Sequence, residues 1–228
     1  MTNDHASHRP QDEDRYLVTE RIDYSQTGPV SVWGPGDKDT LEYLDKTEMH
    51  GTWLNLAAGD GRYNNILLKK TDHVTAADLD ENALAKLVAN TPESLKPKLT
   101  TAVFDSTEPF PYADGTFDGV FCTGFLHLFP TDILRKIVAE MDRVLRPHGR
   151  IILDFSADLL RELPDGRFYT KESEPLYSIE EAIALMKQLF ADYQVLMIRS
   201  RVPREEIKTL RMTYMFSCRF VIVQADKP

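Results

Sequence analysis

Long apolar runs are missing from this chain of 228 residues, and with them any segment of the ~20 residues that cross a bilayer as a helix. The opening stretch, MTNDHASHRPQDEDRY, is polar and charged rather than signal-like. A cytoplasmic protein without a membrane partner is therefore expected. Cysteine is scarce. Cys122 and Cys218 lie in apolar segments, which suits reduced core residues better than a disulfide or a metal site, and no metal is expected. Positive charge is in deficit as well. A formal net charge of −9 argues against general nucleic-acid binding, which needs a positive surface facing the phosphates. Internal repeats and low-complexity tracts are absent too, and the length suits one domain with a full core.

What is present is an alternation of two periods. Residues 1–50 read as an N-terminal tail and a lid or helical segment. Its first part has little to bury and is expected to be disordered or loosely attached. A proline–glycine cluster then marks a loop before a short helix around Asp39 to Lys46. Residues 51–228 read as a single globular domain. TWLNL, VTAAD, LTTAVFD, FDGVFCTG and RIILDFS have strand character, and RYNNILLKK and ENALAKLVAN have helical spacing. TDILRKIVAEMDRVLR is helical too, with Ile133, Ile137, Met141 and Val144 on one face. Thr131 or Asp132 is placed to cap its start and Pro147 with Gly149 to end it.

After Asp154 the pattern changes. ADLLRELPDGRFYTKESEPLY reads as a polar, loop-rich insertion, and SIEEAIALMKQLFADY as a helix. Two strands follow, QVLMIRSRV and TYMFSCRFVIVQA. The short charged link PREEIKTLR between them suits an antiparallel pair, because a parallel crossover normally needs a helix. The expected fold is α/β: a seven-stranded, mostly parallel, doubly wound sheet with its last strand antiparallel and helices on both faces.

One stretch carries the function. In LNLAAGDGRYNNILL, Leu54 to Leu68, a buried strand runs into a turn of small residues and then into a helix. Glycines there let the backbone adopt positive φ and a ligand approach closely, at the strand ends where doubly wound sheets collect ligands. Gly59-Asp60-Gly61 alone could be an ordinary turn. Its place between strand and helix, with Asp78 at the tip of the next strand to accept ribose hydroxyls, favours a nucleoside ligand.

These features resemble a class I S-adenosylmethionine-dependent methyltransferase, over about Thr52 to Asp154. That family has an acid and alternating glycines after the first strand and acids after the second and third, with an Asp near the start of the fourth. Here the positions read Asn55 to Gly61, Asp78, Asp105 and Asp118. FPYADGTFDGVFCTGFLHLF and ILRKIVAEMDRVLRPHGRIIL are also similar to family segments. The resemblance implies that Ala57, Gly59 and Gly61 floor the homocysteine and ribose portions of S-adenosylmethionine, with Asn55 at the position of the usual acid. It further implies that Asp78 holds the ribose, Leu79 packs on the adenine, and Asp105 with the Ser106 amide meets the adenine amine. Cys122, Thr123 and Gly124 would line the end of the fourth strand. Asn55 replaces Asp or Glu, and Ala57 replaces Gly. Asn cannot neutralise the methionine ammonium, and a neutral hydrogen bond is about half as strong as a charge-assisted one. Asp60 is the candidate for the missing charge, against an exposed turn residue.

An NAD site shares the turn and the acid, but the third glycine is missing and Asp105 would have no role there. The implied reaction is in-line methyl transfer, most simply to a small molecule, yielding S-adenosylhomocysteine. It needs positioning and exclusion of water more than a general base. His127 is the candidate base or substrate contact, and packing at a helix start is the plainer reading. Tyr16 to Trp33 and Leu159 to Tyr177 are candidate lids, offering Tyr16, Tyr24, Trp33, Phe168, Tyr169 and Tyr177. Arg199, Arg201, Arg204, Lys208 and Arg211 form a basic cluster, best read as a solvated hairpin. The alternative function is a catalytically silent nucleoside-binding module serving a partner protein.

Overall fold

The computed structural model describes residues 22–170, 174–208 and 213–228. Residues 1–15, Tyr16 and Arg211, on which expectations were placed, lie outside them. The chain builds one seven-stranded sheet in the order β3-β2-β1-β4-β5-β7-β6. In chain order the strands are β1 (Thr52–Leu56), β2 (His73–Asp78), β3 (Leu99–Val103), β4 (Phe117–Cys122), β5 (Leu145–Glu162), β6 (Gln194–Lys208) and β7 (Thr213–Asp226). Strands β1 to β5 pair in parallel, and β7 runs antiparallel to both β5 and β6. The expected doubly wound sheet with an antiparallel last strand is what forms.

Among the described residues, five α-helices cover it: α1 (Lys38–Lys46), α2 (Asn64–Lys70), α3 (Glu81–Asn90), α4 (Thr131–Val144) and α5 (Ile179–Leu189). The period of two in the strands decides which helix covers which face. Trp53, Phe121 and Ile152 point one way and pack with Leu44 of α1 and Leu67 and Leu68 of α2. Leu54, Val120, Ile151 and Leu153 point the other way, into a larger core with Leu134, Ile137 and Met141 of α4 and Met186 of α5. Both cysteines are free and buried. No helix of the described residues is long and apolar enough to cross a membrane.

Three local expectations are corrected. Helix α4 is capped by neither Thr131 nor Asp132: Pro130 precedes it without a side-chain cap, and it ends at Val144, ahead of Pro147 and Gly149. The supposed loop after Asp154 begins as strand. β5 continues to Glu162 past a bulge between Ala157 and Leu160, because β7 keeps offering a backbone partner as far as Met215. Polar residues are tolerated there since an antiparallel extension need not bury both faces. Likewise most of PREEIKTLR is not a link. β6 runs on to Lys208, and Pro203 sits at a register shift between Val202 and Glu205. On an edge strand a proline at a bulge forfeits no essential ladder bond.

Candidate functional site

The carboxyl ends of the parallel strands carry the bare turn. Ala57, Gly59 and Gly61 all have positive φ, 54°, 53° and 94°. The Gly61 amide donates to the Ala58 carbonyl at 3.1 Å and the Asn64 amide to the Gly61 carbonyl at 3.0 Å, which starts α2. A side chain at Gly61 would stand 2.9 Å from Leu87 Cγ, so this glycine lets α3 close on the turn. At Gly59 a Cβ would meet only Trp33, at 3.6 Å or more. Ala57 adopts the left-handed geometry that glycine takes without cost, which accounts for the small side chain there.

The tips of β2 and β3 flank this turn. Asp78 Oδ2 accepts from the Gly59 amide at 2.7 Å and Oδ1 from the Asp80 amide at 2.9 Å. Burial raises the Asp78 carboxyl above its ordinary value, against the pull of those backbone donors. Leu79 follows it, half-buried, before α3. Asp105 Oδ1 accepts from the amide and hydroxyl of Thr107, at 2.9 and 2.7 Å, with Ser106 half-buried between them.

Asp60 is not an exposed turn residue. It is buried, pairs with Lys86 Nζ at 2.8 Å, and accepts from the Ser31 hydroxyl at 2.5 Å and the Val32 amide at 2.8 Å. Lys86 also donates to the Val30 carbonyl at 2.9 Å. Its charge is thus committed to strapping residues 30–32 onto the turn, which removes it as a substitute for the acid absent at Asn55. Tyr24 stacks 5.7 Å from Lys86 Nζ. Burial, then Asp80, Asp60 and Asp78, push its phenol up, which puts the ring beside the same carboxylates.

Where β4 ends alongside β5, the same end of the parallel strands holds a second buried group. Cys122 is fully buried in the larger core; Thr123 and Gly124 continue past the strand end. The Gly124 amide donates 2.7 Å to Asp154 Oδ1. Asp154 is 4% exposed, and desolvation raises its carboxyl from 3.8 to about 7. Asn55 is buried too, its amide donating to Asn64 Oδ1 at 3.2 Å.

Residues 54–153 match the family described as a methyltransferase domain. The chain is 35% identical over 103 residues to the glycine/sarcosine N-methyltransferase of Parasynechococcus marenigrum, covering 44% of this chain and 36% of that one. Residues 54–153 are thus similar to a methyltransferase domain, and the fold is the one shared by solved methyltransferases. An uncharacterised protein of Haemophilus influenzae is 36% identical over 81 residues, and the chain spans about a third of the length of either curated relative. Among solved structures, TehB of Haemophilus influenzae aligns with TM-score 0.61 and 16% identity, over 85% of this chain and 63% of TehB. Magnesium protoporphyrin IX methyltransferase of Synechocystis, solved with bound S-adenosylmethionine, aligns with TM-score 0.53 and 15% identity over 83% of this chain and 77% of that one.

Within the matched stretch, His127 lies in the short 3-10 turn Leu126–Leu128, buried, its ring edge-on to Phe155 at 6.4 Å. Tyr177 anchors the far lid segment, its hydroxyl donating to the Phe129 carbonyl at 2.8 Å and its ring 5.1 Å from Phe155. Phe168 and Trp33 remain exposed, and Tyr169 is half-buried. In the basic hairpin Arg204 meets Glu162 at 2.9 Å and Arg199 meets Glu180 at 4.0 Å, while Arg201 is exposed. Asp118 sits at the opposite end of the sheet, holding the Thr52 amide and Arg146. Two site residues escaped the sequence: Lys86, hidden on the polar side of a regular helix pattern, and Asp154, which ends an apolar run with no spacing signal beside it.

Proposed function

We propose that this domain transfers a methyl group from S-adenosylmethionine to a small-molecule acceptor and releases S-adenosylhomocysteine. The observation that carries the reading is a left-handed backbone turn bonded by Asp78, with Asp105 just past the end of the neighbouring β3 at the same end of the sheet. The residues fit the cofactor's chemistry. A bare turn admits a close ligand, Asp78 suits vicinal hydroxyls, and Asp105 suits an exocyclic amine. Ala57 keeps the glycine conformation, which supports reading the turn as the family's despite the extra methyl.

Bound there, S-adenosylmethionine supplies a methyl on a sulfonium, already a good leaving group. The chain's own task is then to hold the nucleophile in line and to exclude water. The strap at residues 30–32, fixed by Asp60 and Lys86, is placed to exclude water over the turn. The acceptor class is supported by the curated relative, which is named for glycine and sarcosine.

Calorimetry with S-adenosylmethionine and S-adenosylhomocysteine, followed by transfer of labelled methyl to a metabolite panel, tests the reading. Both ligands are expected to bind, and Asp78→Ala to weaken them by about tenfold or more, the loss of a charge-assisted hydrogen bond. A protein that binds neither ligand is not a methyltransferase of this kind. The neutral Asn55 favours one second reading, a silent nucleoside-binding module, for which binding without transfer to any acceptor would speak.

A further inference from the structure

The first strand of this sheet presents a neutral residue where class I methyltransferases present an acid, yet the cofactor proposed above arrives with a cationic ammonium on its methionyl end. Asn55 cannot supply the charge, since its buried amide is engaged with Asn64. Asp60 cannot either, because Lys86 neutralises it under the strap. The strand order supplies another place to look. β4 lies between β1 and β5, Asn55 is level with Phe121, and Phe121 with Ile152. Asp154 is two residues past Ile152, so the period of two turns it to the same face of the sheet as Asn55. Two strand spacings separate them, with the tip of β4 between.

That tip is open. Gly124 has φ 66° and nothing within 4 Å of where a Cβ would be. Its amide occupies only Asp154 Oδ1; among the described residues no donor reaches Oδ2. A carboxylate left ionised at such depth is costly unless a cation joins it. The nearby basic group is Arg62, which Asp37 already engages at 3.4 Å. We propose that the charge usually carried at the tip of β1 has moved in this chain to mid-β5, level with the point where β4 ends, and that Asp154 Oδ2 receives the α-ammonium of the cofactor across Gly124. The inference rests on the proposed cofactor and adds which residue holds its amino-acid end.

The test compares three ligands on the full chain by calorimetry: S-adenosylmethionine, S-adenosylhomocysteine and 5′-methylthioadenosine, which lacks the amino-acid end. Asp154→Asn keeps an acceptor for the Gly124 amide. It is expected to weaken the first two ligands about tenfold or more and to leave methylthioadenosine within twofold. Adding Asn55→Asp to that variant should recover much of the lost affinity. Unchanged binding of S-adenosylhomocysteine in Asp154→Asn overturns the inference, whether or not methyl transfer is lost. So does an equal loss for methylthioadenosine, which would mark a structural effect, or no recovery with Asn55→Asp. A wild-type chain that binds none of the three overturns the cofactor reading itself, and this inference with it.

Discussion

The two ends of the parallel sheet treat their carboxylates in opposite ways. At the amino end, Asp118 is desolvated, but the Thr52 amide at 2.7 Å and the Arg146 guanidinium at 2.6 Å outweigh that and hold its carboxyl below the ordinary value. Arg150 and Asp226 pair there too, at 2.5 Å. At the carboxyl end, Asp78 and Asp154 take backbone amides as donors, and both carboxyls are raised by burial. One end of the same sheet is arranged for stability. The other keeps anions where they are uncomfortable, as sites that await a cation or a hydroxyl do.

The largest expected break in this contrast is its pH dependence. A carboxyl raised by folding binds a proton more tightly in the native state, so stability falls as pH rises. For Asp154 the loss starts near the unfolded value of 3.8 and is complete above about 7. It amounts to roughly 4 kcal/mol at most. Asp78 adds in the same direction. Asp118 works the other way, its contribution being lost only as pH falls below the ordinary carboxylate range. Denaturant unfolding of the ligand-free protein at pH 5 and pH 8 should therefore favour pH 5, and Asp154→Asn should flatten most of the difference. Equal stability at both values, with Asp154 present, would remove the contrast between the ends.

A smaller effect, about 2–3 kcal/mol, is expected from Gly61→Ala, which combines a left-handed backbone with a Cβ 2.9 Å from Leu87 Cγ. Thermal melting measures it, and ligand affinity should fall with it as α3 is pushed off the turn. The smallest effect has the opposite sign. Ala57→Gly relieves a positive φ of 54° and should raise stability by about 0.5–1 kcal/mol, less the added freedom of the unfolded chain. A loss of stability on this change would show that the alanine methyl makes a contact worth more than the strain.

How much of this was legible in the residues follows from burial. TWLNL and ENALAKLVAN form strand and helix over the bounds their patterns suggest, because a strand buried on both faces and an amphipathic helix leave few alternatives. The turn was legible because glycine spacing is a local signal. β5 and β6 were longer than expected because their extensions are held by partners on β7 rather than by any apolar pattern of their own, and Pro203 reads as a stop unless the bulge is known. Asp60 and Asp154 illustrate the same limit at the site. What each does is set by Lys86, the strap and Gly124, all distant in sequence.

The strap has a consequence for where this protein can be cut. Asp60 and Lys86 are buried partly because residues 30–32 lie across them, and Leu44 of α1 fills the core beneath. A fragment beginning at residue 51, where the strand–helix alternation starts, would wet an ion pair and empty a pocket at once. A fragment that begins before Val30 is therefore expected to melt higher than one that begins at residue 51, because residues 30–32 and Leu44 act as a wall of the sheet.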